Sequence, residues 1–343
     1  MLFRRTLIGL LLTAVFLVLA FRQVDFTQVG DALRHASYWQ LAPAIAIYFT
    51  AFWLRAIRWR VLLSPLGRVT VGRSYWVAAI GYAANNVLPL RLGELLRSYL
   101  LRRRPGIPAT GTLATIAVER VLDGLSLLSW LAPVLLFAAH TNELSATMRV
   151  VLQGSAILFG GITLGLVGVV LMPKLALRLI GVMLRPFPAR FATVLLGLAQ
   201  LFIGGFTVLR SGRLLLLLIV ISQAIWVGES LLYVLVANAL GLHVSIWGIA
   251  AAVAASNLAT SVPSSSGGLG PFELLTTQSL VLFGVLPSLA AAYAILVHAT
   301  LLAPVTIVGL TLLFFEGVSL KEATRFPSMA MTPEAPAKEE AKG

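Results

Sequence analysis

Runs of about 20 apolar residues recur along almost the whole chain, and each is long enough to cross roughly 30 Å of hydrocarbon as a helix. None alternates polar with apolar as a barrel strand would, and a backbone in lipid must satisfy its hydrogen bonds locally. The pattern predicts spans over 6–21, 41–63, 107–139, 150–172, 214–240 and 288–315. Two further apolar stretches are interrupted. The first, 75–88 followed by 90–101, breaks at Asn85, Asn86 and Pro89. The second, 246–262 followed by 272–285, breaks at Pro263-Ser264-Ser265-Ser266-Gly267-Gly268-Leu269-Gly270-Pro271. Their arms are too short to span comfortably. The expected fold is therefore an all-α polytopic membrane protein, with about six full transmembrane helices and two re-entrant helical hairpins. Eight ordinary spans are the alternative.

Charge orders these elements across the membrane. The second span carries Arg55, Arg58 and Arg60 on its exit and is followed by Arg68 and Arg73, and Arg102, Arg103 and Arg104 follow the first broken stretch. Cytoplasmic loops are enriched in Lys and Arg, which puts these ends inside and makes the first hairpin enter from the cytoplasm. The second hairpin has almost no flanking positive charge and reads as entering from the outer side. Arg4 and Arg5 precede the first run, and no small-residue cleavage site follows it, so it reads as a retained helix with a cytoplasmic N-terminus. A flat apolar stretch at 191–209 reads as an interfacial helix. Residues 1–316 form the membrane domain in this reading, and the Pro-, Ala-, Glu- and Lys-rich residues 317–343 a disordered cytoplasmic tail.

The overall composition agrees. Of 343 residues, 59% are hydrophobic and only 11% charged, against roughly a quarter charged in soluble domains. The net charge of +13 lies between hydrophobic spans, so it reports topology and anionic lipid surfaces rather than nucleic acid. The chain has no Cys, and its four His are scattered without ligand spacing, so no disulfide, metal site or cofactor is expected.

Three polar clusters stand where lipid-facing residues belong, and ionisable groups there are paired, wet or functional. In the first, Asn85, Asn86, Pro89, Arg91, Gly93, Glu94 and Arg97 surround the break, with Arg91, Glu94 and Arg97 on one helical face. Glu94 can pair with one arginine, which leaves a net positive set suited to a phosphate or carboxylate. In the second, Glu119 and Asp123 share a face and Arg120 is spaced to pair with Asp123. A structural ion pair competes there with a substrate-binding or proton-carrying role. In the third, Ser264, Ser265, Ser266, Gly267 and Gly268 form a loop whose N–H groups and hydroxyls can wrap an anionic oxygen, with Glu273 just beyond it. Pro271 suits the first turn of the returning arm.

Taken in order, Pro89-Leu90-Arg91-Leu92-Gly93-Glu94-Leu95-Leu96-Arg97, then Glu119-Arg120-Val121-Leu122-Asp123, then Pro263 to Glu273 resemble the lysylphosphatidylglycerol synthase transmembrane-domain family. This is the flippase-like domain at the membrane end of multiple peptide resistance factors. The resemblance extends to about Phe315. It implies lipid translocation between leaflets, and it carries the family motif onto Arg91, Glu94, Arg97, Glu119, Arg120, Asp123, Ser265, Gly268 and Glu273. No aminoacyl-transferring domain is expected within this sequence, which argues against synthase activity.

The reading that results is a flippase or transporter of an anionic or phosphate-bearing lipid in the cell membrane, and not an enzyme. No nucleophile–base pairing, acidic metal signature or nucleotide-binding motif supports catalysis or direct use of ATP. The alternatives are a non-catalytic membrane partner in lipid or cell-envelope synthesis and, behind it, a membrane lipid-modifying enzyme. Expected partners are membrane lipids with anionic headgroups and no nucleic acid; a homo-oligomer or an envelope-synthesis partner stays open.

Overall fold

The computed structural model describes residues 2–88, 92–102, 107–140, 172–188, 211–260 and 266–317, with scattered positions between 157 and 203. Among the described residues the chain is helical and holds no strand. It is a polytopic membrane protein. The expected span at 150–172 and the interfacial helix at 191–209 fall largely outside the described residues, and the tail from 318 onward falls wholly outside them.

Helix α1 (Leu2–Phe21) turns by 85° into the short α2 (Phe26–Arg34). Asp25 caps α2 by accepting the Thr27 N–H at 2.8 Å, and Val29 packs beside Ala291 and Ala292. The acidic cap and the apolar stripe make this stretch a helix. The long helices α3 (Leu41–Leu63), α6 (Ala109–His140), α8 (Gly212–Ala239) and α11 (Pro287–Phe315) form the frame. At 1.5 Å per residue each is at least about 34 Å long, enough to cross the bilayer. A short α7 (Pro173–Met183) presents mostly exposed apolar residues.

Between these sit two hairpins of short helices, α4 (Val71–Val87) with α5 (Leu92–Arg102), and α9 (Ile246–Ala259) with α10 (Pro271–Leu282). Their arms run about 16–26 Å. Helix α11 shows that they enter from opposite ends. Arg73, at the base of the first hairpin, donates two hydrogen bonds to Glu316 just past the end of α11, at 2.6 and 2.7 Å. The second hairpin has its base at the other end, where α10 leads through a turn at Gly284 into Pro287. The two tips meet inside the frame, where the 3₁₀ turn Ser266–Gly268 packs on α4.

Small residues let these helices touch, as expected where no hydrophobic drive separates helix from lipid. A Cβ on Gly93 would lie 1.9 Å from the Gly81 carbonyl oxygen, and one on Gly309 would lie 2.2 Å from that of Ala79. Gly93→Ala is therefore expected to force α5 off α4 and sharply reduce monodisperse protein in size-exclusion chromatography. A normal yield and elution profile would show that the hairpin tolerates separation.

Candidate functional site

The meeting of the two tips leaves a cavity of about 450 Å³ inside the helical frame. Its wall is unusually polar for the interior of such an apolar chain. The first tip contributes Asn85, Asn86, Glu94 and Arg97, α6 contributes Arg120 and Asp123, and the second tip contributes Ser266, Gly267 and Gly268. These come from all three sequence clusters. Arg91, Ser264 and Ser265, also named from sequence, lie outside the described residues.

Most of the charges are held in pairs. Arg97 donates to Glu119 at 2.7 Å, and its guanidinium lies 3.8 Å above the Trp59 ring. Both ions are nearly inaccessible, at 2% and 3% exposure. Asp123 sits 2.8 Å from Arg58 and 3.7 Å from Arg120. The pairing of Arg120 with Asp123 foreseen from their spacing is thus present, but Arg58 makes the closer contact. Arg55 is ion-paired and hydrogen-bonded to Glu229, with Trp226 below its guanidinium. A lone charge buried among these helices would be costly, so each pair offsets the desolvation of its members.

Arg120 differs from the other cavity arginines. Its side chain keeps 40% of its exposure, and its two contacts, Tyr82 hydroxyl and Asp123, are at 3.4 and 3.7 Å. Among the described residues it is the arginine most open to a ligand in the cavity. Asn85 and Asn86 are partly committed: Asn85 Oδ1 accepts the Gly93 N–H at 2.8 Å, closing the first tip, and Asn86 Nδ2 donates to Thr306 Oγ1 at 2.8 Å.

The second tip is shaped by glycine. Gly267, Gly268 and Gly270 all have positive φ, between 74° and 97°, a region that costs other residues strain. Glu273 lies beneath this turn rather than open to the cavity. One carboxylate oxygen accepts the Gly270 N–H at 2.6 Å and the other meets His298 Nδ1 at 2.5 Å.

Several site residues escaped the sequence reading. Their place at the end of an apolar run makes Arg55 and Arg58 look like cytoplasmic flanking charges, but they are 7% and 1% exposed and point into the helix frame. Glu229 and His298 were passed over, as was Asn257, which lines the cavity. Glu229 carried a usable signal, being the lone acid in the apolar run 212–239. His298 carried none, because its partner is 25 residues away in sequence.

The family described as lysylphosphatidylglycerol synthase TM region matches residues 6–309, and the chain belongs to it. The chain is also 31% identical, over 332 aligned residues, to a protein of Haloferax volcanii named glycosyltransferase AglD. That match covers 88% of this chain but 52% of the relative, so the chain spans about half the length of the curated relative it matches. No solved structure matches the chain. The expectation that the chain is not an enzyme is overturned by this relative, which is named for an enzymatic activity and resembles the chain over most of its length. The sequence argument rested on the lack of a nucleophile–base pair or metal motif within this chain, and the lack of those signatures does not exclude an enzymatic activity. What the family and fold establish is a multi-pass membrane protein with a lipid-related function.

Proposed function

We propose that the protein moves a lipid with a phosphate-bearing headgroup between the leaflets of the cell membrane. The headgroup would occupy the central cavity while the tails stay among the outer helix faces. One observation carries this reading: a polar cavity of about 450 Å³ lies between two hairpin tips that enter from opposite ends of the bundle. Discontinuous helices meeting near the midplane are how many transporters build a substrate site reachable from either side. Arg120 and the amides of Asn85, Asn86 and Asn257 would bind the phosphate, whose burial without partners would be prohibitive. Phospholipids, aminoacylated phospholipids and polyprenyl-phosphate lipids share that group. The basic ends at Arg60, Arg68 and Arg73 favour a cytoplasmic position for the base of the first hairpin, and with it for the N-terminus and the end of α11.

The relative's name supports a second reading, in which these helices hold the lipid substrate of a glycosyl transfer. Reconstitution into liposomes separates the two. Faster leaflet exchange of labelled phosphate-bearing lipids than of a neutral glycolipid, without any sugar donor, is the expected result. The cavity-filling variant Leu301→Trp should return exchange to the rate of empty vesicles. Folded protein that exchanges no lipid but retains sugar on a labelled lipid phosphate when a donor is supplied would move the second reading ahead.

A further inference from the structure

Beneath the second tip, both ring nitrogens of His298 face oxygen atoms. Nε2 is 3.0 Å from the Gly267 carbonyl oxygen, and Nδ1 is 2.5 Å from a Glu273 carboxyl oxygen. A carbonyl only accepts, so Nε2 must carry a hydrogen. The contact at Nδ1 then needs a proton of its own, held either on Nδ1 or on the Glu273 carboxyl. In both arrangements the pair holds one proton more than a neutral imidazole beside an ionised carboxylate. Removing it leaves an imidazole with a single N–H, which serves the Glu273 carboxylate and turns the Nε2 lone pair toward the Gly267 carbonyl oxygen, in a site where His298 and Glu273 are 4% and 5% exposed. That arrangement is repulsive and has little water to relieve it.

The pair also ties separate elements together. Glu273 accepts the Gly270 N–H and so caps α10, while His298 ties the Gly267 carbonyl to α11. The Phe272 ring stacks on the imidazole at 3.9 Å, fixing its plane. Gly267 abuts the opposite tip: a Cβ there would lie 3.6 Å from the Asn86 carbonyl oxygen. The proton thus sits in the joint between the turn, the returning helix α10 and α11, next to the place where the hairpins meet.

We propose that Glu273 and His298 form a proton-binding site whose occupancy holds the second hairpin tip against α11 and the first tip. With the proton bound, the turn at 266–270 is braced. With it lost, the one remaining imidazole N–H stays with Glu273, the His298–Gly267 contact parts and the turn is released from α11. The other ionisable groups on the shared cavity are accounted for. Arg55 of α3 is paired with Glu229 of α8, and Arg97 of α5 with Glu119 of α6; Asp123 of α6 lies between Arg58 and Arg120, and Glu94 of α5 lines the wall near Arg120. Tyr48 of α3 and Tyr82 of α4 line it as phenols, and α1, α2, α9 and α10 add no further ionisable side chain to this wall among the described residues.

The natural chain has no Cys, so a spin label on Leu269→Cys, an exposed position in the turn, reports this tip alone. The label's mobility would be followed in nanodiscs between about pH 5 and pH 9. An immobile label at low pH and a mobile one at high pH is the expected result. Glu273→Gln keeps an acceptor for Gly270 and gives His298 Nδ1 a permanent donor, so it should stay immobile throughout. His298→Ala should be mobile throughout, with intact folding confirmed by unfolding temperature. A pH transition that survives Glu273→Gln, or a folded wild type whose label does not respond to pH, would overturn the proposal.

Discussion

Arg97→Ala is expected to cost about 3–5 kcal/mol of stability, because it strands the Glu119 carboxylate in a buried site. Glu119 is 3% exposed, and Arg97 is its hydrogen-bonding partner at 2.7 Å. The substitution also removes the guanidinium from the Trp59 face, a further loss where the pair is desolvated. In detergent, intrinsic-fluorescence melting should fall on the order of 10 °C. The paired replacement Arg97→Met with Glu119→Leu should recover most of the loss, since it leaves no buried charge behind. Arg97→Lys should fall between, because an ammonium keeps the charge but not the flat stacking surface. A single Ala variant melting within about a degree of wild type would show that Glu119 has found another partner or protonated, and would remove this pair from the framework.

That result bears on how far the sequence could be read. The described long helices and both hairpins were legible because length, apolarity and breaks at Pro89 and Pro263 are local properties. The three polar clusters were legible for the same reason, and the fold brings their described members to one cavity. Which charges pair was not legible. Arg97 looked like a fork open to phosphate because its spacing to Arg91 and Glu94 is local, while its partner Glu119 belongs to a different helix. Arg55 and Arg58 looked like topology signals because they end an apolar run, although α8 and α6 supply them with Glu229 and Asp123. Glu273 was seen as an acid beside the loop, but the histidine that fixes its role comes from α11. Helix periodicity places a side chain on a face; it does not say which helix that face will meet.

Arg120 marks where binding separates from stability. Its loose contacts, at 3.4 and 3.7 Å, and its 40% side-chain exposure mean that Arg120→Ala should leave the melting temperature close to wild type. Lipid exchange in liposomes should nevertheless drop about 10- to 100-fold, which corresponds to losing one charge-assisted hydrogen bond of roughly 1.5–3 kcal/mol. The geometry also lets Arg120 leave its partner cheaply. If it turns from Asp123 toward a headgroup phosphate, Asp123 still has Arg58 at 2.8 Å and is not left as an unpaired buried charge. Arg58→Ala removes that reserve and should destabilise the fold instead, because Arg58 is 1% exposed and also donates to Ser222 at 2.9 Å. Arg120→Lys should restore part of the exchange, since a point charge attracts phosphate without the bidentate fork. Wild-type exchange by a folded Arg120→Ala protein would take the cation out of the transport step, and the amides of the first tip and the glycine turn would then be the remaining phosphate contacts.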